Sequence, residues 1–196
     1  MGIDAVHRLG GRKMAKVFIN PGHCIGVDPG AVNGYYQVAE AEIVADVGSM
    51  VKHYLTVAGV EAEILQSDNL CGENPRWPNV CNEANNSGAD VFVSIHCNGA
   101  QSEAAQGTEV LVFSKWSRSD RLAECIQKQI VDAIGTVNRG VKARPQLAVL
   151  KHTRMPAVLV ELAFITNMDD CELLITKKEE FAKAIARGIT DFFTKE

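Results

Sequence analysis

Several features that would settle the class of this chain at once are missing. Its 196 residues hold no apolar run near the ~20 needed to cross a bilayer, so no membrane-spanning helix is expected. Basic residues are not in excess. Twenty Lys and Arg face 24 Asp and Glu, a formal charge of -4, which lacks the electrostatic footprint of a nucleic-acid-binding domain. The six cysteines, Cys24, Cys71, Cys81, Cys97, Cys125 and Cys171, include no CxxC pair, which removes support for a zinc ribbon or a thioredoxin-type motif. Aromatic residues make up 6%, with Trp77 and Trp116 the two tryptophans. No repeat or low-complexity stretch breaks the chain. Residues 1–15 contain no 7–15-residue apolar core, so they do not read as a secretory signal peptide.

What is present is the balance of an ordinary globular domain: 46% hydrophobic and 22% charged residues. The charge is uneven. In residues 1–16, Arg8, Arg12, Lys13 and Lys16 face only Asp4, so the remaining 180 residues carry -7. Residues 1–15 are read as an unstructured lead, and 16–196 as one domain. Without a signal peptide, free thiols are the default, with a Cys71–Cys81 pair across a loop as the alternative.

Short β-branched runs alternate with longer amphipathic patterns. Lys16–Asn20, Val60–Leu65, Asp90–Ile95, Glu109–Phe113, Ala148–Leu150 and Ala157–Leu162 read as strands. Glu40–Ala58, Asn79–Ser87, Ser119–Ile134 and Glu179–Phe193 read as helices, and residues 67–78 as a loop. This alternation implies an α/β fold: a mostly parallel, mixed and twisted sheet of about six strands with helices on both faces. Such sheets carry their sites just past the carboxyl ends of strands.

That rule selects three places. Asn20-Pro21-Gly22-His23 follows the first strand, His96-Cys97-Asn98 follows Val91–Ile95, and Val158-Leu159-Val160 runs into Glu161. Two histidines and a carboxylate suit a divalent zinc ion, whose catalytic sites take three protein ligands. The third ligand is expected at the start of the helix after His23, where Glu40 and Glu42 both stand. Glu161 ends an apolar run, where a buried carboxylate costs several kcal/mol unless it is paired or serves a metal. His7, His53 and His152 are not expected to be ligands. Cys24 and Cys97 adjoin two of the histidines and are read as packing groups, because neighbouring residues on a strand point to opposite sides.

Asn-Pro-Gly-His at 20–23, Asp28-Pro29-Gly30-Ala31, Glu40, Ser94-Ile95-His96-Cys97-Asn98 and Met155-Pro156-Ala157-Val158-Leu159-Val160-Glu161-Leu162-Ala163-Phe164-Ile165-Thr166-Asn167 together resemble the zinc-dependent N-acetylmuramoyl-L-alanine amidases of the amidase-3 family. That family occurs in bacterial autolysins and phage endolysins, and the likeness covers roughly residues 16–193. It implies zinc held by His23, Glu40 and His96, with Glu42 as fallback for the third ligand, and Glu161 as the catalytic glutamate. The chain departs from the family pattern at Glu40-Ala41, where Glu-Lys is common. It has Cys24 in place of a glycine, a longer His23–Asp28 loop, and Val80 where an arginine is usual, with Arg76 displaced.

The resemblance implies hydrolysis of the amide between N-acetylmuramic acid and L-alanine in peptidoglycan, by a monomer that acts at the bacterial cell wall. Synthesis in the cytoplasm with phage-type release, or a truncated chain, would account for the missing signal. Arg154 is a secondary candidate for stabilising the oxyanion. Trp77 and Trp116 are read as loop anchors or cleft-rim aromatics, and Asp68–Pro78 as a cleft wall. The alternatives are another zinc amide hydrolase or peptidase on the same fold, and a degenerate wall-binding module without catalysis.

Overall fold

The computed structural model describes residues 14–195; apart from Met14 and Ala15, the reading of residues 1–15 as a lead lies outside the described residues. In chain order the elements are β1 (Lys16–Pro21), the short pair β2 (Val32–Asn33) and β3 (Val38–Ala39), α1 (Glu40–Val57), β4 (Glu61–Ile64), α2 (Val80–Asn86), β5 (Val91–Asn98), β6 (Thr108–Val112), α3 (Arg118–Ile134), β7 (Asn138–Ala143), α4 (Ala148–His152), β8 (Ala157–Phe164), α5 (Met168–Thr176) and α6 (Lys178–Lys195).

The six long strands form one sheet in the order β4-β1-β5-β8-β6-β7. β4, β1, β5 and β8 run parallel; β6 pairs antiparallel with β8 and parallel with β7. The sheet is therefore mixed, as expected. From β1 the chain crosses to β4 through α1, then returns through α2 to β5 on the other side of β1. That reversal opens a crevice at the carboxyl ends of β1 and β5, where open α/β sheets bind ligands.

Alternation along the strands sorts side chains onto two faces. Val91, Val93, Ile95 and Cys97 of β5 join the larger core cluster, packed beneath α1, α3, α5 and α6. Phe92 faces the other way, into a smaller cluster with Phe18, Leu111, Leu159 and the short helices α2 and α4. Those helices have 7 and 5 residues, so they cover only part of their face. Side-chain caps start three of the helices: Asn79 accepts from Asn82 N–H in α2, Ser117 from Asp120 N–H in α3, and Asn167 from Asp170 N–H in α5.

Five features depart from the sequence reading. Ala148–Leu150 lies in α4 rather than a strand. Three apolar residues fit either state, and the Lys151 N–H donates to the Leu147 carbonyl at 3.0 Å while Val149 and Leu150 pack on the sheet. β7 was not anticipated, because Asn-Arg-Gly-Val-Lys-Ala has no apolar alternation; it is an edge strand paired on one side. α5 and the β2–β3 hairpin were also unforeseen. Finally, β5 and β8 extend further than read, so His96 lies inside its strand rather than after it.

The packing of α3 on α6 depends on Gly188. A Cβ there would sit 2.5 Å from Ile126 Cα and 2.8 Å from Ile126 N. Alanine in place of glycine in a helix gains up to about 1 kcal/mol, but forcing backbone apart in a packed core costs about 1–3 kcal/mol. Gly188→Ala is therefore expected to lower the urea midpoint of unfolding. An unchanged or higher midpoint would show that the two helices separate freely.

Candidate active site

Pro21 ends β1 and Gly22 turns the chain, its N–H donating to the Ile95 carbonyl at 2.8 Å. Gly22 is required by contact. A Cβ at this position would lie 2.2 Å from Cε1 of the His96 ring. His23 follows in the left-handed region (φ 57), a conformation uncommon outside glycine. The loop beyond it is closed by a reciprocal backbone pair between Cys24 and Asp28 at 3.0 and 2.8 Å. That closure carries Asp28 Oδ2 to within 2.7 Å of His23 Nδ1. The other ring nitrogen, Nε2, is left facing Glu40 Oε2 at 3.1 Å.

Glu40 is the first residue of α1 and is 3% exposed. Its Oε1 accepts the Cys97 N–H at 2.9 Å and lies 2.9 Å from His96 Nδ1. Its Oε2 accepts the Ala31 N–H at 3.0 Å. Burial pushes this carboxyl up, but the two histidines and the Ala31 N–H outweigh it and hold the group well below the usual range. The same pairing acts on His23. The bond to Glu40 outweighs burial and raises the imidazole to about 9. Gly30, at φ 67, lets the backbone pass over both groups, since a Cβ would lie 2.6 Å from Glu40 Oε2 and from His23 Cδ2.

Glu161 stands beside this trio. In the sheet register it is directly opposite His96, on the face only partly covered by α2 and α4. Its Oε2 is shielded from solvent and has no hydrogen-bond partner. Burial raises its carboxyl to about 7; His96 works against this, while Glu40 and Glu109 add to it.

His23, Glu40 and His96 each offer an atom within 4.8 Å of the others, and among the described residues they form the group able to share a metal ion. Two imidazoles and one carboxylate are a donor set that suits zinc, and the Asp28 contact fixes the orientation of the His23 ring, as carboxylates do for histidines that bind metals. Glu42, the fallback ligand, is exposed on the far side of the helix.

The other candidates fall elsewhere. The Cys97 side chain is buried in the larger core, on the opposite side of β5 from His96. Cys24 is buried against Asp68. His53 and His152 are exposed. Cys71 and Cys81 are free thiols with sulfurs 2.7 Å apart. Residues 67–78 form the expected loop, and the Gln66 side chain before it ties to the Gly22 and Ala41 carbonyls at 3.1 and 2.9 Å, beside the histidines. Trp77 belongs to that loop, but Trp116 is 93% exposed beyond the far end of β6, away from the site. Arg154 lies away from the site: it precedes β8, with its N–H bonded to Asn85, and four residue steps of ~3.3 Å separate Ala157 from Glu161.

Asp28, Gly22 and Gly30 are site residues to which the sequence reading assigned no role. Asp28 had a local signal in its place five residues after His23, within a Pro-Gly turn. The need for Gly22 follows only from the His96 ring arriving from another strand.

The shifted groups set the pH behaviour of the metal-free protein. His23, raised above 6.5, contributes stability that is full below 6.5 and lost as pH rises through about 9. Glu161, raised above 4.5, loses its contribution as pH rises through about 7. Glu40, lowered, loses its own only as pH falls below the ordinary carboxylate range. The urea midpoint of metal-free protein is therefore expected to fall between pH 6 and 9, and less steeply in Glu161→Gln. Gly22→Ala and Gly30→Ala should each weaken zinc binding at least ~10-fold, the scale of a disturbed outer shell, as read by competition with a chromogenic chelator. Unchanged affinity would show that the histidines are placed by other contacts.

A family model described as N-acetylmuramoyl-L-alanine amidase matches residues 17–191. The chain is 35% identical over 183 residues to the N-acetylmuramoyl-L-alanine amidase LytC of Bacillus subtilis, an alignment covering 90% of this chain and 35% of that protein. It is 35% identical over 181 residues to the endolysin of Bacillus phage SPP1, covering 88% of this chain and 62% of the endolysin. Among solved structures, the N-acetylmuramoyl-L-alanine amidase AmiC2 of Nostoc punctiforme aligns with a TM-score of 0.81 at 29% identity, over 94% of this chain and 99% of that one. This chain thus spans a part of the first two relatives and nearly the whole of the third. The match over residues 17–191, together with a shared fold, places the chain in the N-acetylmuramoyl-L-alanine amidase family.

Proposed function

We propose that this domain hydrolyses the amide joining N-acetylmuramic acid to L-alanine in peptidoglycan, with zinc held by His23, Glu40 and His96 and with Glu161 as proton carrier. The observation that carries the reading is the placement of Glu161 opposite His96, beside a His-Glu-His cluster, in a chain of this family. All four groups come from one chain, so a monomer suffices. A degenerate wall-binding module would lack one of them.

When bound, zinc supplies Lewis acidity toward the amide carbonyl and lowers the pKa of a water toward neutrality. Glu161 accepts a proton from the attacking water as its oxygen bonds to the carbonyl carbon. It then delivers that proton to the alanine nitrogen as the C–N bond breaks, leaving a muramic carboxylate and a free amine. Burial raises the Glu161 carboxyl and a bound cation lowers it, and a carboxyl set between these two influences can both take and return the proton. Asp28 keeps Nδ1 of His23 engaged, so that Nε2 is the nitrogen presented to the ion.

The test is incubation of the zinc-loaded protein with purified sacculi, with and without chelator, followed by mass analysis of the soluble products. Intact stem peptides bearing a new alanine amine, released only without chelator, are expected. Release of single amino acids would favour a peptidase instead. Glu161→Gln should keep its zinc and lose ~10²–10⁴-fold in rate, the range of general acid–base catalysis. Loss of activity toward acid is expected to set in at or below pH 7, because a bound cation draws the Glu161 carboxyl down from its metal-free value. Near-wild-type cleavage by the variant would remove Glu161 from the mechanism.

A further inference from the structure

The open face of the sheet continues past Glu161. Glu109 of β6 is its direct antiparallel partner, and Lys142 of β7 is opposite Leu111, two residues along β6 from Glu109. Because side chains alternate, His96, Glu161 and Glu109 stand in a row across one face, and Lys142 lies on the same face two residues along from that row. Glu109 is 6% exposed. A single oxygen, Oε2, accepts both Arg139 Nε at 2.6 Å and Lys142 Nζ at 2.5 Å. Arg139 is fixed further by the Gln106 carbonyl at 3.2 Å and by the Phe164 ring, 4.8 Å from the guanidinium carbon.

Two cations thus meet one carboxylate, which leaves a local surplus of positive charge. Both side chains keep about a third of their surface exposed, 33% and 32%, so they can be reached from solvent. They retain unused donors, since Arg offers five N–H groups and Lys three. The opposite wall differs in sign: residues 67–78 carry Asp68 and Glu73 against Arg76 alone.

We propose that Arg139 and Lys142 form a carboxylate subsite that receives an acidic group carried by the stem peptide one residue beyond the scissile alanine. The subsite rests on the amidase reading and adds the direction in which the peptide lies. Distances agree with this. β7 is two strand spacings from β8, ~9.5 Å, and long side chains reach back from it. Two extended residues span ~7 Å from the scissile carbonyl. The glycan then lies toward the loop that holds Trp77, away from the cations.

Two ligands that differ in one group test this: N-acetylmuramoyl-L-alanyl-γ-D-glutamyl-L-lysine, with a free glutamate α-carboxylate, and its glutamate α-carboxamide; in both the γ-carboxyl is taken up in the bond to lysine. Affinities are measured by calorimetry on zinc-loaded Glu161→Gln protein, and kcat/KM on the wild type. A preference of ~10-fold or more for the carboxylate is expected, the scale of a charge-assisted hydrogen bond. Lys142→Met and Arg139→Gln should bring the ratio toward one, Lys142→Arg should restore it, and Lys183→Met, on α6 over the other face of the sheet, should leave it as in the wild type. If a variant melts early, the wild-type ratio is read from low to high salt, where a preference based on charge declines. Equal affinity for the two ligands, or a ratio that survives both substitutions, overturns the subsite. Failure to cleave either ligand counts against the amidase reading instead, and the calorimetric ratio still decides the subsite.

Discussion

A carboxylate that is 3% exposed, such as that of Glu40, costs several kcal/mol to bury unless charges or donors surround it. Glu40 has both. Two backbone N–H groups and two imidazoles converge on its oxygens from three segments of the chain. The left-handed His23, the two close-packed glycines and the Asp28 brace all serve that convergence. In the metal-free protein a proton on His23 offsets the negative charge, and the proposed divalent cation would replace that proton.

The unequal cover of the sheet explains why the site lies where it does. Four helices bury one face in a continuous core, and two short ones cover only part of the other. The same alternation that sends Cys97 into the core sends His96 and Glu161 to the open end of the second face. Polar groups there meet solvent or a ligand rather than packed hydrocarbon. The floor extends sideways through Glu109 to Arg139 and Lys142, so its charge changes from carboxylate to cation in that direction.

Much of this was legible in order and spacing. The strands of the sheet centre are apolar at nearly every position, which marks burial on both faces, and α1, α3 and α6 show clear helical periodicity. His23, His96 and Glu161 stand at or near strand ends and were recognised by that rule. Glu40 and Glu42 could not be separated by spacing; burial separates them, because only Glu40 points under the His23 loop. β7 and α4 were illegible for different reasons. An edge strand needs no apolar alternation, and a three-residue apolar run has no period.

Local chemistry along the chain determined the fold class, the order of the main elements and the identity of the metal-capable side chains, because hydrophobic periodicity and strand-end position are local properties. Tertiary structure alone decided what those side chains meet. The clash that reserves position 22 for glycine comes from a ring 74 residues away, and the pairing of Glu161 with Glu109 comes from an antiparallel register. Arg154, close to Glu161 in sequence, lies at the other end of β8 because the strand is extended, whereas Arg139, more distant in sequence, is brought near Glu161 because β6 lies between their strands.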